Sequence, residues 1–425
     1  MLGRPGILCR CLLFLLGLAA ADAGAAEIAV PARAGALANA IGEAQLGDRL
    51  RLLPGDHQGP VRIDKPLELI GGGKAHVVGN DLGSVITVAS ADVVLRGLVI
   101  SGSGSSAEHR DSAIVLMKSA EGALVEGNRL VGNLIGVDVH GARNARVVGN
   151  EIVGRRGHRM NSRGNGVYVW NAPGTQVVGN DIRWGRDGIF VNTSRNNTFI
   201  GNRFRELRFA IHYMYAHDSV VSDNLSIGNH LGYALMFSKN LTVRGNRSIG
   251  DRDYGIMLNY TNSSLVEGNL VENVGDRCVF IYNAHKNRIE GNRFERCGIG
   301  VHFTAGSERN RFTGNAFIGN RTQVKYVGSR WLDWSTGGRG NFWSDHAAYD
   351  LDGDGLADSN FRPNDKMDRI LWTQPAAKLL LGSPAVQLIR WSLSAFPSLN
   401  PGGVVDSRPL MQPIPQRFTS WQVAR

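Results

Sequence analysis

Three thioethers and two imidazoles fall on equivalent short segments in mid-chain: His212, Met214 and His217 in AIHYMYAH, Met236 in ALMFS and Met257 in GIMLN. Thioethers bind without losing a proton, and with neutral imidazoles they form a soft donor set that favours Cu(I) over Ca²⁺ or Mg²⁺. Such a set suits copper that is held weakly and exchanged. Outward methionines and aromatic rings also make adaptable protein-binding surfaces without any metal, and spacing alone leaves both readings open. A harder donor set stands in YDLDGDGLADSN. Asp350, Asp352, Asp354 and Asp358 occupy positions 1, 3, 5 and 9 of a calcium loop, Gly355 takes the tight-turn position, and Leu356 offers its carbonyl. Phe361 stands where an EF-hand carries its bidentate Glu, so the match is to a shorter Asp loop holding a structural Ca²⁺, against the plain alternative of a solvated acidic turn. A third candidate is RRGHRMNSRG (155–164), which sets His158 and Met160 among four arginines and reads first as a basic contact loop.

The elements that must position these groups repeat. Gly-Asn, once Asp-Asn, follows an apolar segment at Asn128, Asn150, Asn180, Asn202, Asn224, Asn246, Asn269, Asn292 and Asn315, with steps of 22 or 23 residues and one of 30. That period is too short for TPR or ankyrin units and lacks a Leu-rich frame. It predicts an all-β fold, a right-handed parallel β-helix in which each coil pairs with the coils above and below. The asparagines are expected to take the left-handed turn and to bond to one another, and they are assigned no chemistry.

Aligning a second strand of each coil as GVDVH, GVYVW, GIFVN, AIHYM, ALMFS, GIMLN, CVFIY and GVHFT puts apolar residues at positions two and four, facing inward. The outward third-position column is then Asp138, Tyr168, Phe190, His212, Met236, Met257, Phe280 and His302. The fifth is His140, Trp170, Asn192, Met214, Ser238, Asn259, Tyr282 and Thr304. This alignment places Met236 directly after His212 in one column, at a strand spacing of about 4.8 Å. A face so rich in aromatic residues marks a binding surface, with Tyr168, Trp170, Phe190, Phe280, His302, His158 and Met160 as partner-binding candidates.

The chain divides into a signal peptide (1–25), an N-terminal cap (26–50), the solenoid (51–325), an aromatic-rich end segment with the Asp loop (326–374), and a helical and extended tail (375–425). Arg4 and Arg10 precede an apolar run and Ala-x-Ala at 21–23 and 23–25, which predicts export to the periplasm; the run is too short to span a bilayer. With 425 residues, 54 of them Gly, and a net charge of +10, disorder and collagen are excluded and acidic partners are favoured. Export makes nucleic acid an improbable partner. Cys278 and Cys297 remain after cleavage and could form one disulfide, which spacing does not decide. The apolar stretch 376–396, broken by Gly382 and Pro384, suits docking onto a partner or lying on a membrane surface better than spanning, with a helix folded back onto the solenoid as the plain alternative.

With the export signal, the 22-residue coils, NGVYVWNAPGTQVVGNDIRWGRDGIFVNTS, RFAIHYMYAHDS and NFWSDHAAYDLDGDGLADSNFRP, the chain closely resembles the NosD family of periplasmic β-helix proteins. The resemblance implies a non-enzymatic part in maturing the copper centres of nitrous oxide reductase. It implies work with an ABC transporter permease and ATPase, a copper-donating lipoprotein chaperone and the reductase, with the tail as the permease contact and the Met/His face as a Cu(I) relay. Two rival readings are a metal-free adaptor joining reductase to transporter, and a polysaccharide lyase or epimerase. The enzyme needs an acid–base pair near a charge-neutralising group. Asp138, His140, His212, His217 and Asp218 are available, but the central coils carry Met and Phe where paired acids are needed, and the Asp-Pro-His triplet of alginate epimerases is absent.

Overall fold

The computed structural model describes residues 25–364 apart from 158, 305 and 329, then 375–380, 382–395 and 402–415. All but the last residue of the expected signal peptide, and His158, lie outside these residues. Short strands dominate because each coil alternates two or three apolar-inward segments with Gly, Asn and Ser corners. The chain is a parallel β-helix. One sheet takes a single strand from each of twelve coils, running from Val61–Ile63 to Thr322–Val327, and every pairing in it is parallel. The other strands build a second, 24-stranded sheet that wraps the remaining sides. Inward residues of the twelve-stranded sheet, such as Val139, Val169, Val191, Ile211, Tyr213, Leu235 and Leu258, are completely buried and form one continuous core.

The Gly-Asn pair turns out to divide two tasks. The left-handed turn is made by the residue before each asparagine: Gly127, Gly149, Gly179, Gly201, Asp223 and Gly245 all have φ between 55° and 66°. The asparagines themselves are buried, and each Nδ2 donates to the Oδ1 of the next at 2.8–3.0 Å from Asn128 to Asn341. Each Nδ2 also donates to a core-strand carbonyl, as Asn246 does to Val221. The expectation that Asn itself adopts the left-handed turn is therefore corrected. A residue without Cβ makes that turn at no steric cost, which frees the Asn side chain to point inward.

At the N-terminal end the helix Ala36–Glu43 buries Leu37 and Ile41 over the first coil. The strand before it, Glu27–Val30, already pairs in parallel with Arg49–Leu52, so sheet structure begins inside the segment expected to be cap. At the other end Trp334 stacks on Phe312 at 3.9 Å and Trp343 on Phe317 at 4.3 Å, while Trp331 and Tyr349 remain exposed. The tail does more than extend. Gly403–Val405 adds a strand beside Trp331–Asp333, and buried Asp406 accepts hydrogen bonds from Asn341 N and Nδ2 and from Trp343 Nε1. Cys278 and Cys297 are joined in a disulfide.

Candidate metal-transfer face

The outward columns of the twelve-stranded sheet differ from the sequence alignment in one coil. Register pairs run Asp138, Tyr168, Phe190, His212, Ala234, Met257, Phe280, His302, Lys325 in one column. The second runs His140, Trp170, Asn192, Met214, Met236, Asn259, Tyr282. Met236 therefore sits beside Met214, not below His212, and Ala234 takes the place expected for Met236. The error was a slip of two residues, which keeps every side chain on its face and so leaves the apolar alternation intact. Tyr233 and Leu235 fill the core where Leu235 and Phe237 were expected.

The consequence is a notch. Tyr168, Phe190 and His212 stack in sequence at 5.3 and 4.7 Å, and the stack then stops at the methyl group of Ala234. Met257 lies beyond the gap, about 10 Å from His212 at two strand spacings. Met236 and Met214 border it in the adjacent column. Ala234 is fully buried because its larger neighbours lean over it, so the notch is a step down in side-chain size within the column and not an open cavity.

His212 is held by a partner the sequence did not disclose. Its Nδ1 lies 3.1 Å from Oδ2 of Asp187, a fully buried carboxylate also bound by Arg208 Nε at 2.8 Å and Nη2 at 2.7 Å. Burial alone would raise the Asp187 pKa, yet the hydrogen bonds from His212 and Arg208 outweigh it and hold the carboxyl below its ordinary value. With Nδ1 committed, Nε2 is the ring's available donor, the arrangement by which a carboxylate orients a metal-binding imidazole. Asp187 escaped the sequence reading because it stands one residue before the aligned segment. The available signal was an acid at a strand position where the next coils carry Phe209 and Leu231.

His217 does not join this cluster. It follows Tyr215, which bends the strand at φ 55°, and its ladder neighbours are Arg195 and Lys239. Those cations oppose a bound Cu⁺. Beyond the second column, Tyr215, Phe237 and Tyr260 stack at 5.1 and 5.2 Å, and Tyr282 meets Tyr260 edge-on at 5.9 Å. All but Phe237 are exposed; the sequence alignment hides this ladder because it puts Phe237 at an inward position. Trp170 stacks with His140 at 4.3 Å. His302 lies against Phe280 at 5.0 Å, and burial, with Arg277 and Lys325 nearby, pulls its pKa down to about 4. Met160 opens the short turn Met160–Ser162 beside the strand that carries Tyr168, two coils from His212. In the Asp loop, ligand oxygens of Asp350, Asp352 and Asp354 lie within 4.8 Å of one another, whereas Asp358 stands outside that group and accepts from Leu351 N.

Residues 148–348, which include the notch, match the family model described as "Periplasmic copper-binding protein (NosD)". A protein of Stutzerimonas stutzeri named "Probable ABC transporter binding protein NosD" is 42% identical over 379 residues, covering 86% of this chain and 87% of the relative. The chain belongs to the NosD family. A Pseudomonas aeruginosa protein of the same name is 43% identical over 414 residues and covers 94% of both chains. Among solved structures, the Streptococcus pneumoniae surface adhesin PfbA has a TM-score of 0.51 at 9% identity, over 69% of this chain and 88% of its own. Yersinia enterocolitica exopolygalacturonase has a TM-score of 0.48 at 13% identity, over 70% and 78%. The adhesin shares this chain's fold alone. Among the described residues, no helix of this NosD-family chain is long and apolar enough to cross a membrane.

Proposed function

We propose that this NosD-family protein is a non-enzymatic periplasmic copper carrier that takes Cu(I) at the notch over Ala234 and passes it on for assembly of the copper centres of nitrous oxide reductase. The observation that carries the reading is the gap in an otherwise filled column, bounded by His212 on one side, Met257 on the other and Met214 and Met236 alongside. A tethered imidazole with neutral thioethers is a soft donor set that prefers Cu(I) to hard cations. A rigid sheet fixes these donors at strand spacings, so the ion gains few bonds from protein closure and stays exchangeable. The family description as a copper-binding periplasmic protein supports the cargo and the compartment. The relatives' names support a transporter as partner. The helix Pro384–Ala395, with Leu388 and Trp391 each 62% exposed, suits a permease contact. The chaperone would load the notch, and the ATPase would act through the permease. The Asp loop would take Ca²⁺ through Asp350, Asp352 and Asp354, fastening the segment that carries Leu356 against Leu410 of the tail.

Anaerobic Cu(I) titration against a competing chelator tests the reading. The Met214→Leu, Met236→Leu, Met257→Leu triple variant removes the sulfur donors at nearly constant volume, and Ala234→Val fills the notch while keeping them. Both are expected to weaken Cu(I) binding by about tenfold or more. Equal binding by wild type and both variants removes copper from this face. No binding by wild type favours the metal-free adaptor, for which the exposed Tyr215, Tyr260 and Tyr282 ladder is the natural docking surface.

A further inference from the structure

Beside the metal donors runs a strip whose residues are poorly suited to their own backbone. Successive coils bend through left-handed geometry at the same place, at Asn171 (φ 46°), Thr193 (54°), Tyr215 (55°), Phe237 (50°), Tyr260 (52°) and Asn283 (45°). Asn tolerates this region, whereas a bulky ring is strained in it. Yet the three coils that carry Met214, Met236 and Met257 place aromatic rings there, each stacked on the next. Tyr215 directly follows Met214, and Phe237 directly follows Met236. Tyr215, Tyr260 and Tyr282 remain 50%, 43% and 41% exposed, so burial does little to offset the strain. Strain that the core does not require points to function.

Cations border this ladder. Arg195 and Lys239 flank His217 in the row that follows it, and the next corner adds Lys286 and Arg309. All four are exposed, and among the described residues none has a side-chain hydrogen bond or ion pair. Of the acids in the same two rows, Asp218 accepts from the Asn240 amide and Glu308 pairs with Arg330, so the margin stays positive. The arginines lining the pocket of about 290 Å³ beneath the turn Met160–Ser162 of the long coil differ in this respect. Arg110 pairs with Asp138, Arg186 lies beside Asp187, and Arg163 donates to the Arg156 carbonyl.

Exposed rings bordered by unpaired cations call for an occupant that is apolar and acidic at once. We propose that this strip docks an acidic protein surface presenting apolar or aromatic side chains, and that the docked protein is the one that exchanges copper with the Met/His cluster. Its carboxylates pair with Arg195, Lys239, Lys286 and Arg309, and its apolar side chains cover the rings. An anionic bilayer meets the same chemistry but cannot take metal from donors fixed alongside. The cations that oppose Cu⁺ around His217 thus hold the partner on one side while the metal stays on the other. The partner's part in copper exchange rests on the function proposed above; the docking itself does not.

The experiment is surface plasmon resonance on the copper-free, full periplasmic chain. Metal-free nitrous oxide reductase and the periplasmic copper chaperone are two protein arms, and phosphatidylglycerol vesicles are a third. At least one protein is expected to bind, more weakly as salt rises. The Tyr215→Asn, Tyr260→Asn and the Lys239→Glu, Lys286→Glu double variants should each weaken that binding by about tenfold or more. Cu(I) affinity should not change in either, and Tm of the Asn variant should be no lower than that of wild type, because Asn fits the turn. The Met214→Leu, Met236→Leu, Met257→Leu variant should dock as wild type does, so loss of docking and loss of copper are read separately. Binding by neither protein, binding unchanged in either folded double variant, or vesicles held as tightly as the proteins would each overturn the assignment.

Discussion

At the scale of the residue, buried polar groups in this protein are bound into ladders or tuned by their neighbours. Asn246 accepts from both the backbone and the side chain of Asn224 while donating to Asn269 and Val221. Asn246→Ala strands those partners in the core, and a loss of about 2–4 kcal/mol is expected in urea unfolding. Asp138 and His302 make opposite contributions to the pH dependence. Burial lifts the Asp138 pKa from 3.8 to about 6 despite Arg110, so its contribution is fully present below pH 4 and is lost as pH rises through 6. The His302 pKa falls from 6.5 to about 4, so its contribution is present above pH 6.5 and is lost as pH falls through 4. Replacing Asp138 by Asn removes the first slope only. Stability of the variant should then rise more steeply between pH 4 and 6 than that of wild type, by about 2 kcal/mol across the window. Asp251, whose pKa burial also raises to about 6, remains as a background in both proteins. Parallel slopes in urea unfolding at pH 4, 5 and 6 would refute the assignment.

At the scale of the element, the coils are stacked units whose last member needs a terminator. The Asn ladder ends at Asn341, whose backbone and side-chain amides both terminate on Asp406, 65 residues later. The same carboxylate takes the Trp343 indole N–H. Asp406→Ala leaves these donors buried without an acceptor, with an expected loss of about 2–4 kcal/mol and a red-shifted tryptophan emission as the cap loosens. Emission and Tm unchanged from wild type would mean that the tail merely rests on the solenoid. The sequence showed the aromatic closing segment but not its lock, because nothing in the period says which distant acid completes the ladder. The two-residue slip at Met236 belongs to this scale as well. Alternation defines faces, not columns, and only the pairing of His212 with Ala234 revealed the notch.

At the scale of the whole molecule, a rigid solenoid sets out the Met/His cluster in mid-sheet, the pocket under the long coil's loop two coils towards the N-terminus, and an exposed apolar helix beyond the cap. Deleting residues 375–395 should abolish capture by membranes that contain the transporter permease while leaving Tm and Cu(I) affinity unchanged; capture that persists assigns the contact elsewhere. The amino-acid sequence by itself determined the repeat, the parallel coils, the inward and outward faces and the soft character of the donors, since each follows from local periodicity and side-chain chemistry. Tertiary structure alone decided that Met236 neighbours Met214, that Ala234 opens the column, that Asp187 tethers His212, that His217 lies among cations, and that Asp406 closes the end. These are relations between residues 22 to 65 positions apart in the chain. Register and long-range hydrogen bonds set them, and no local pattern encodes either.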